Sequence, residues 1–88
     1  MTSANTVDVR AQLVAILRRE LFVTKDPVED DDELTGDLGL DSANIAIGLV
    51  AMEEQLHAVL THQDIVECAT FGELVRLVVS ALPGAASA

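Results

Sequence analysis

Fifteen acids against five bases give this 88-residue chain a formal charge of −10, which argues against nucleic acid and anionic membrane surfaces as partners and for proteins with basic patches. A chain of this length makes one domain and buries about 60 to 65% of its unfolded surface, so it has a single shared core. Half the residues are hydrophobic but only Phe22 and Phe71 are aromatic, so that core is aliphatic, and the lone Cys68 leaves no internal disulfide and fits a reducing cytoplasm.

The longest apolar run, Ile45 to Met52 with Gly48 counted in, is less than half of what a bilayer span requires. The opening MTSANTVDVR has neither a basic flank nor an apolar centre, so no export signal is visible. The expectation is a soluble, cytoplasmic, monomeric protein with one domain over residues 1–88, an ordered core over about 7–82 and flexible tails over 1–5 and 84–88.

Thr6 is a candidate N-cap, and Val9, Leu13, Ile16, Leu17 and Leu21 then follow the spacing of one helix face. Arg10, Gln12, Arg18, Arg19 and Glu20 take other faces, and a first helix is expected over about 7–21. From Phe22 to Leu40 the helical period is lost. Pro27, Gly36, Gly39 and the acid run Glu29 to Glu33 mark a loop, long enough to need a function or an anchor. Val28, Leu34 and Leu38 are its expected anchors, with the acids between them in water. Asp31, Glu33, Thr35, Gly36 and Asp37 occupy the ligand positions in the first half of a calcium loop, but its last position falls on Ser42 where calcium needs a bidentate Glu. A solvated charge run with no metal is the reading.

Gly39 leads into Asp41-Ser42, which opens a second helix expected over about 42–59. Ser42 thus stands where unpaired backbone N–H groups and the positive end of the helix dipole stabilise an anion by about 0.3 to 1 kcal/mol. Two readings compete there: a helix cap, and an anchor for a phosphodiester. Along this helix Ile45, Leu49, Met52 and Leu56 form the expected core stripe. Ala43, Ile47, Val50 and Glu54 cluster opposite, a face that should be polar if it meets only water. It is either buried under the loop or a contact surface for a partner protein, and the few apolar residues of the loop favour the partner.

Beyond Thr61, Ile65, Val66 and Cys68 are expected to make one or two turns packed across the open end of the bundle. His57 and His62 lack a third ligand at workable spacing, so no metal site is expected. Thr70-Phe71-Gly72-Glu73 has the form of a capping box, and Phe71, Leu74, Val75, Val78 and Leu82 supply the last core stripe before Pro83-Gly84 ends the helix.

Asp37-Leu38-Gly39-Leu40-Asp41-Ser42, the Leu34 and Leu38 anchors, Glu53-Glu54 and Thr70-Phe71-Gly72-Glu73-Leu74, taken together and at these spacings, resemble the acyl carrier protein family from about Val7 to Leu82. The resemblance implies an all-α fold: a small four-helix bundle of three main helices and one short one, with a long loop between the first two. It implies that Ser42 receives 4′-phosphopantetheine from coenzyme A through a magnesium-dependent phosphopantetheinyl transferase, with Asp41 as cap and as a polar group the transferase engages. The chain would then be a carrier and not an enzyme. An acyl-loading ligase or acyltransferase and downstream synthase enzymes would be its partners, meeting it at Ala43, Ile47, Val50, Glu53 and Glu54.

Two positions depart from the family pattern. Ala43 stands where Leu or Met usually follows the serine, and Ile47 stands at a commonly acidic position, which points away from housekeeping fatty-acid synthesis. Gly48 to Glu54 is similar to discrete carriers of siderophore assembly, so a stand-alone carrier of polyketide, lipopeptide or siderophore biosynthesis is expected. A peptidyl or aryl carrier of a nonribosomal system shares the fold and the arm, although Leu40 replaces the second Gly such carriers often show. An acidic helical interaction module without a prosthetic group, in which Ser42 only caps, is the reading from a different class.

Overall fold

The computed structural model describes residues 6–82. Four helices follow in order: α1 (Thr6–Glu20), α2 (Ser42–Leu56), α3 (His62–Val66) and α4 (Phe71–Ala81). The expected tails and the Pro83-Gly84 stop lie outside the described residues. Thr6 is already helical, so the cap of α1 lies outside them too.

Val9, Leu13, Ile16 and Leu17 of α1, with Leu21 just beyond it, are buried as their spacing predicts. They pack against Ile45, Ala51, Met52 and Leu56 of α2, Ile65 of α3, and Phe71, Leu74, Val75 and Val78 of α4. Phe71, fully buried, is the one aromatic in this core; Phe22 is 78% exposed. Val66 is also exposed, so α3 contributes Ile65 with partial help from Cys68.

Both α1 and α2 end on a non-glycine residue in the left-handed region, Phe22 at φ 58° and His57 at φ 60°. In each case the next residue donates back into the helix: Val23 N–H to Leu17 at 3.0 Å and Ala58 N–H to Met52 at 3.3 Å. These reversals satisfy carbonyls that the helix end leaves without partners. They also stop α1 at Glu20 and α2 at Leu56, short of the 21 and 59 that periodicity predicts. Periodicity sees that Val59 is apolar but not that the chain has turned at His57.

The long loop is anchored more densely than its sequence indicates. Val28, Leu34 and Leu38 are buried, and so are Val23 and Leu40. Contrary to the expectation that the loop acids stay in water, Asp32 is buried. Its carboxylate accepts from Glu29 N–H at 2.8 Å and pairs with Lys25 Nζ at 2.9 Å. Those bonds hold the Asp32 carboxyl below the usual carboxylate range, the Glu29 bond first, and the bond to Asp32 raises the Lys25 ammonium above its ordinary value. Nearby, Glu33 accepts from Asp37 and Leu38 N–H at 3.0 Å while Asp37 Oδ2 accepts from Glu33 N–H at 2.8 Å, closing a compact turn.

The loop splices onto the start of α4. Phe71 N–H donates to the Asp32 carbonyl at 2.8 Å and Gly72 N–H to the Asp30 carbonyl at 3.0 Å, while Leu34 N–H donates to Ala69 at 3.2 Å. A Cβ on Gly72 would sit 3.2 Å from the Asp30 carbonyl oxygen, so glycine permits this approach. Glu73 N–H donates to Thr70 Oγ1 at 3.3 Å, but Glu73 Oε1 accepts from Ala69 N–H at 2.8 Å rather than from Thr70. The predicted box is therefore displaced by one residue, with Thr70 in a bridge opposite Glu33 and the Glu73 carboxylate on Ala69 N–H. A true reciprocal box forms one helix earlier, between Thr61 and Asp64. Arg10 completes the splice: Nε pairs with Asp30 at 2.9 Å, Nη2 donates to the Val28 carbonyl at 2.6 Å, and the guanidinium lies 5.3 Å from the centre of the Phe71 ring.

Leu49 departs from the predicted core stripe of α2. It is only half-buried, while Gly48 and Ala51 are buried. A Cβ on Gly48 would lie 3.3 Å from Leu21 Cδ1, so α2 presents its small residues to the end of α1 and rotates Leu49 toward the edge. A hydropathy wheel weights large residues and misses a seam built from small ones.

Leu13→Ala is expected to cost about 2 to 5 kcal/mol in urea unfolding, and Leu49→Ala clearly less, because truncating a half-buried side chain leaves a smaller cavity. Asp32→Asn is expected to lower stability at pH 7. Because the folded carboxyl titrates below its unfolded value of 3.8, its contribution is present above that pH and lost below it, so the gap between variant and wild type closes as pH falls through this range.

Candidate functional site

Ser42 is the first residue of α2 and is exposed. Asp41, extended at φ −128°, caps the helix: its Oδ1 accepts from Asn44 N–H at 2.9 Å and its carbonyl accepts from Ile45 N–H at 2.9 Å. Capping is therefore the work of Asp41, which leaves the Ser42 hydroxyl without a hydrogen-bond partner among the described residues. The N–H groups of Ser42 and Ala43 are likewise without an acceptor among them, and no acid lies in the first turn.

Three elements hold this end in place. Gly39, at φ 72°, turns the chain where a side chain would be strained. Leu40, buried, donates its N–H to the Leu34 carbonyl at 3.0 Å and fixes the residue before the cap. Asn44 Nδ2 donates to the Leu21 carbonyl at 3.3 Å, tying the first turn of α2 to the end of α1. This tether was not predicted; a polar residue between Ala43 and Ile45 was its only signal.

A free hydroxyl, two unclaimed backbone donors and a positive helix end suit a phosphodiester. The residues present fit a phosphate-linked group at Ser42. Among the described residues no side chain that could act as a base is hydrogen-bonded to the Ser42 hydroxyl. Among the described residues, no three or more His, Cys, Asp or Glu gather to hold a metal ion. Asp30 and Asp32 of the acid run and Asp37 beyond it are engaged with Arg10, Lys25 and the Glu33 backbone.

The face that sequence reading set opposite the core is open. Ile47 and Val50 are 47% and 56% exposed, and Ala43, Glu53 and Glu54 are exposed beside them. The loop does not cover it. Beside this face, between α2 and the end of α1, lies a groove of about 260 Å³ lined by Glu20, Ile47, Val50, Ala51, Glu54 and Gln55. Within the core, by contrast, the cavity is about 20 Å³, bounded by residues that include Leu17, Leu40, Ile45 and Met52. That is room for about one water molecule. Burial first, then Glu73, Asp64 and Glu67, push the pKa of the half-buried Cys68 thiol up, which disfavours its thiolate.

A family model described as the phosphopantetheine attachment site matches residues 11–78. Curated relatives bearing the name acyl carrier protein MbtL are similar over most of the chain. That of Mycobacterium sp. (strain MCS) is 36% identical over 87 residues, covering 99% of this chain and 98% of the relative. That of Mycolicibacterium paratuberculosis is 44% identical over 66 residues, covering 75% and 74%. That of Mycobacterium tuberculosis (strain ATCC 25618 / H37Rv) is 40% identical over 74 residues, covering 84% and 87%.

Asp41→Ala is expected to cost about 1 kcal/mol of stability through loss of the cap, and to lower protection from amide exchange at Asn44 while leaving α4 unchanged.

Proposed function

Because this chain belongs to the acyl carrier proteins, the family with a phosphopantetheine attachment site, we propose that Ser42 is the residue that bears the group and that the outer face of α2 is where partner enzymes grip the carrier. The protein is a carrier, not a catalyst, and its cofactor is 4′-phosphopantetheine. When bound, that group supplies a terminal thiol on which an acyl chain rides as a thioester.

The observation that carries the Ser42 assignment is the division of labour at the start of α2: Asp41 caps, and the adjacent hydroxyl stays free and exposed. The chain's own task is to hold that hydroxyl still. Gly39, Leu40 and Asn44 do so through turn, burial and tether. The helix end then favours the phosphodiester charge, while Asp41 stands beside the serine as a polar group for the transferase to engage.

Carriers of this kind work with biosynthetic enzymes and a phosphopantetheinyl transferase. On the present reading an acyl-loading ligase or acyltransferase and downstream synthase enzymes meet Ala43, Ile47, Val50, Glu53 and Glu54. Ile47 and Val50 offer apolar contact, and Glu53 and Glu54 form a charged rim for basic partners. The chain acts as a single carrier domain in the cytoplasm, and none of its described helices is long and apolar enough to cross a membrane. The apolar face and the similarity to the MbtL carriers support a role in specialised metabolism such as siderophore assembly.

Incubation with coenzyme A and a broad-range transferase is expected to add one phosphopantetheine by intact mass, and Ser42→Ala to abolish the addition. An unmodified wild-type protein would return the chain to the reading in which Ser42 only caps. Ile47→Glu is expected to keep the wild-type thermal midpoint within about 2 °C, as surface substitutions do, while slowing acyl loading. Unfolding by this substitution would refute the partner face.

A further inference from the structure

We infer that Lys25, the one lysine of the chain, is an acylation site for acyl thioesters and the latch of the long loop: as an ammonium it holds the loop closed on α4, and once acylated it lets the loop go. The inference rests on the carrier role of the chain and not on which residue bears the arm.

Lys25 Nζ lies 2.9 Å from Asp32 Oδ2 and donates to the Pro27 carbonyl at 3.1 Å. The lysine side chain is 37% exposed and the Asp32 side chain 9%, so a reagent can reach the amine while water cannot readily replace it on the carboxylate. The carbonyl of the same Asp32 accepts from Phe71 N–H, where α4 starts. Without the ammonium, the carboxylate keeps only the Glu29 N–H at 2.8 Å, and a charge held out of water that loses its partner destabilises whatever holds it there. The first element to feel that loss is the contact between the loop and α4.

A carrier works beside thioesters, which convert amines to stable amides and leave guanidinium groups alone. The other cationic side chains of the chain are the arginines Arg10, Arg18, Arg19 and Arg76, so Lys25 is the cationic side chain on which the chemistry of the cargo can act. In that step the ammonium first gives a proton to solvent. The freed lone pair attacks the thioester carbonyl, a C–N bond forms, the C–S bond breaks, and the thiol leaves with a second amine proton. The amide is neutral and has one N–H where the ammonium had three. Asp32 opposes the reaction while the loop is closed: its hydrogen bond, with the charges of Glu29 and Asp37 behind it, keeps the amine protonated above its ordinary range.

The test uses two thioester sources at about pH 8.5, where lysine amines begin to deprotonate. In one, the chain without its arm meets acetyl-coenzyme A; in the other, the chain acetylated on its own arm is freed of coenzyme A and diluted. Neutral hydroxylamine then strips thioesters, any on Cys68 included, and peptide mapping locates the amides. An amide on Lys25 is expected to form slowly in wild type and severalfold faster in Asp32→Asn. An adduct that survives dilution in the second arm names the chain's own cargo as the donor, and one confined to the first names acyl-coenzyme A; either supports the site. The purified Lys25-acetylated protein is expected to melt about 5 °C lower and to exchange the Phe71 and Gly72 amides about tenfold faster. Lys25→Gln is expected to behave like the acetylated protein and Lys25→Arg like wild type, while Arg18→Gln, which breaks the exposed pair with Asp26, changes neither amide. Should Lys25→Gln fail to fold, the protein acetylated after folding gives the same measurement. No amide on Lys25 from either source, in wild type and Asp32→Asn alike, would overturn the site. Acetylated Lys25 with wild-type exchange at Phe71 and Gly72 would overturn the latch. A chain that takes up no phosphopantetheine would overturn the Ser42 reading, and the acetyl-coenzyme A arm would still decide the latch.

Discussion

The structure depends on the splice between the loop and the first turn of α4. A helix start exposes backbone donors that must find acceptors when they are buried. Here the carbonyls of Asp32 and Asp30 accept from Phe71 and Gly72, and Gly72 lets the two backbones approach. That contact fixes a segment of some twenty residues between α1 and α2 which would otherwise be free to wander, and Arg10 fastens it from the side of α1. With the loop fixed, Leu34 and Leu40 bring Asp41 and Ser42 to one position.

The starts of α4 and α2 show how the same local signal acquires opposite roles. Each helix has a polar cap whose side chain accepts from the third residue of the helix. At α4 the remaining donors are consumed by the loop. At α2 the loop arrives, turns at Gly39 and leaves the N–H groups of Ser42 and Ala43 to the solvent side. One helix dipole is spent on architecture, and the other stays available to an incoming phosphate.

Charge is partitioned in the same way. Arg10 and Arg18 of α1 and Lys25 of the early loop are matched to loop acids, which keeps a dense acidic segment from repelling itself open. The acids of α2 receive no such compensation. The proposed partner face thus sets an apolar strip on Ile47 and Val50 beside uncompensated acids, and a groove continues it onto α1.

Sequence alone determined the helices, their buried faces in α1 and α4, the loop anchors Val28, Leu34 and Leu38, and the candidate serine, because each is written in local period, turn chemistry or a short motif. Tertiary structure decided what no local pattern encodes. Asp32 is held at the start of α4 by Phe71 N–H on its carbonyl, with Lys25 and Glu29 N–H satisfying its buried carboxylate. Leu49 yields the core to Gly48 and Ala51 because Leu21, just past the end of α1, needs the space. Glu20 and Asn44 acquire their places only when the end of α1 meets α2. Periodicity reports which side of a helix is apolar, whereas the partner of a polar group and the distance between two backbones are set by chain segments far away in sequence.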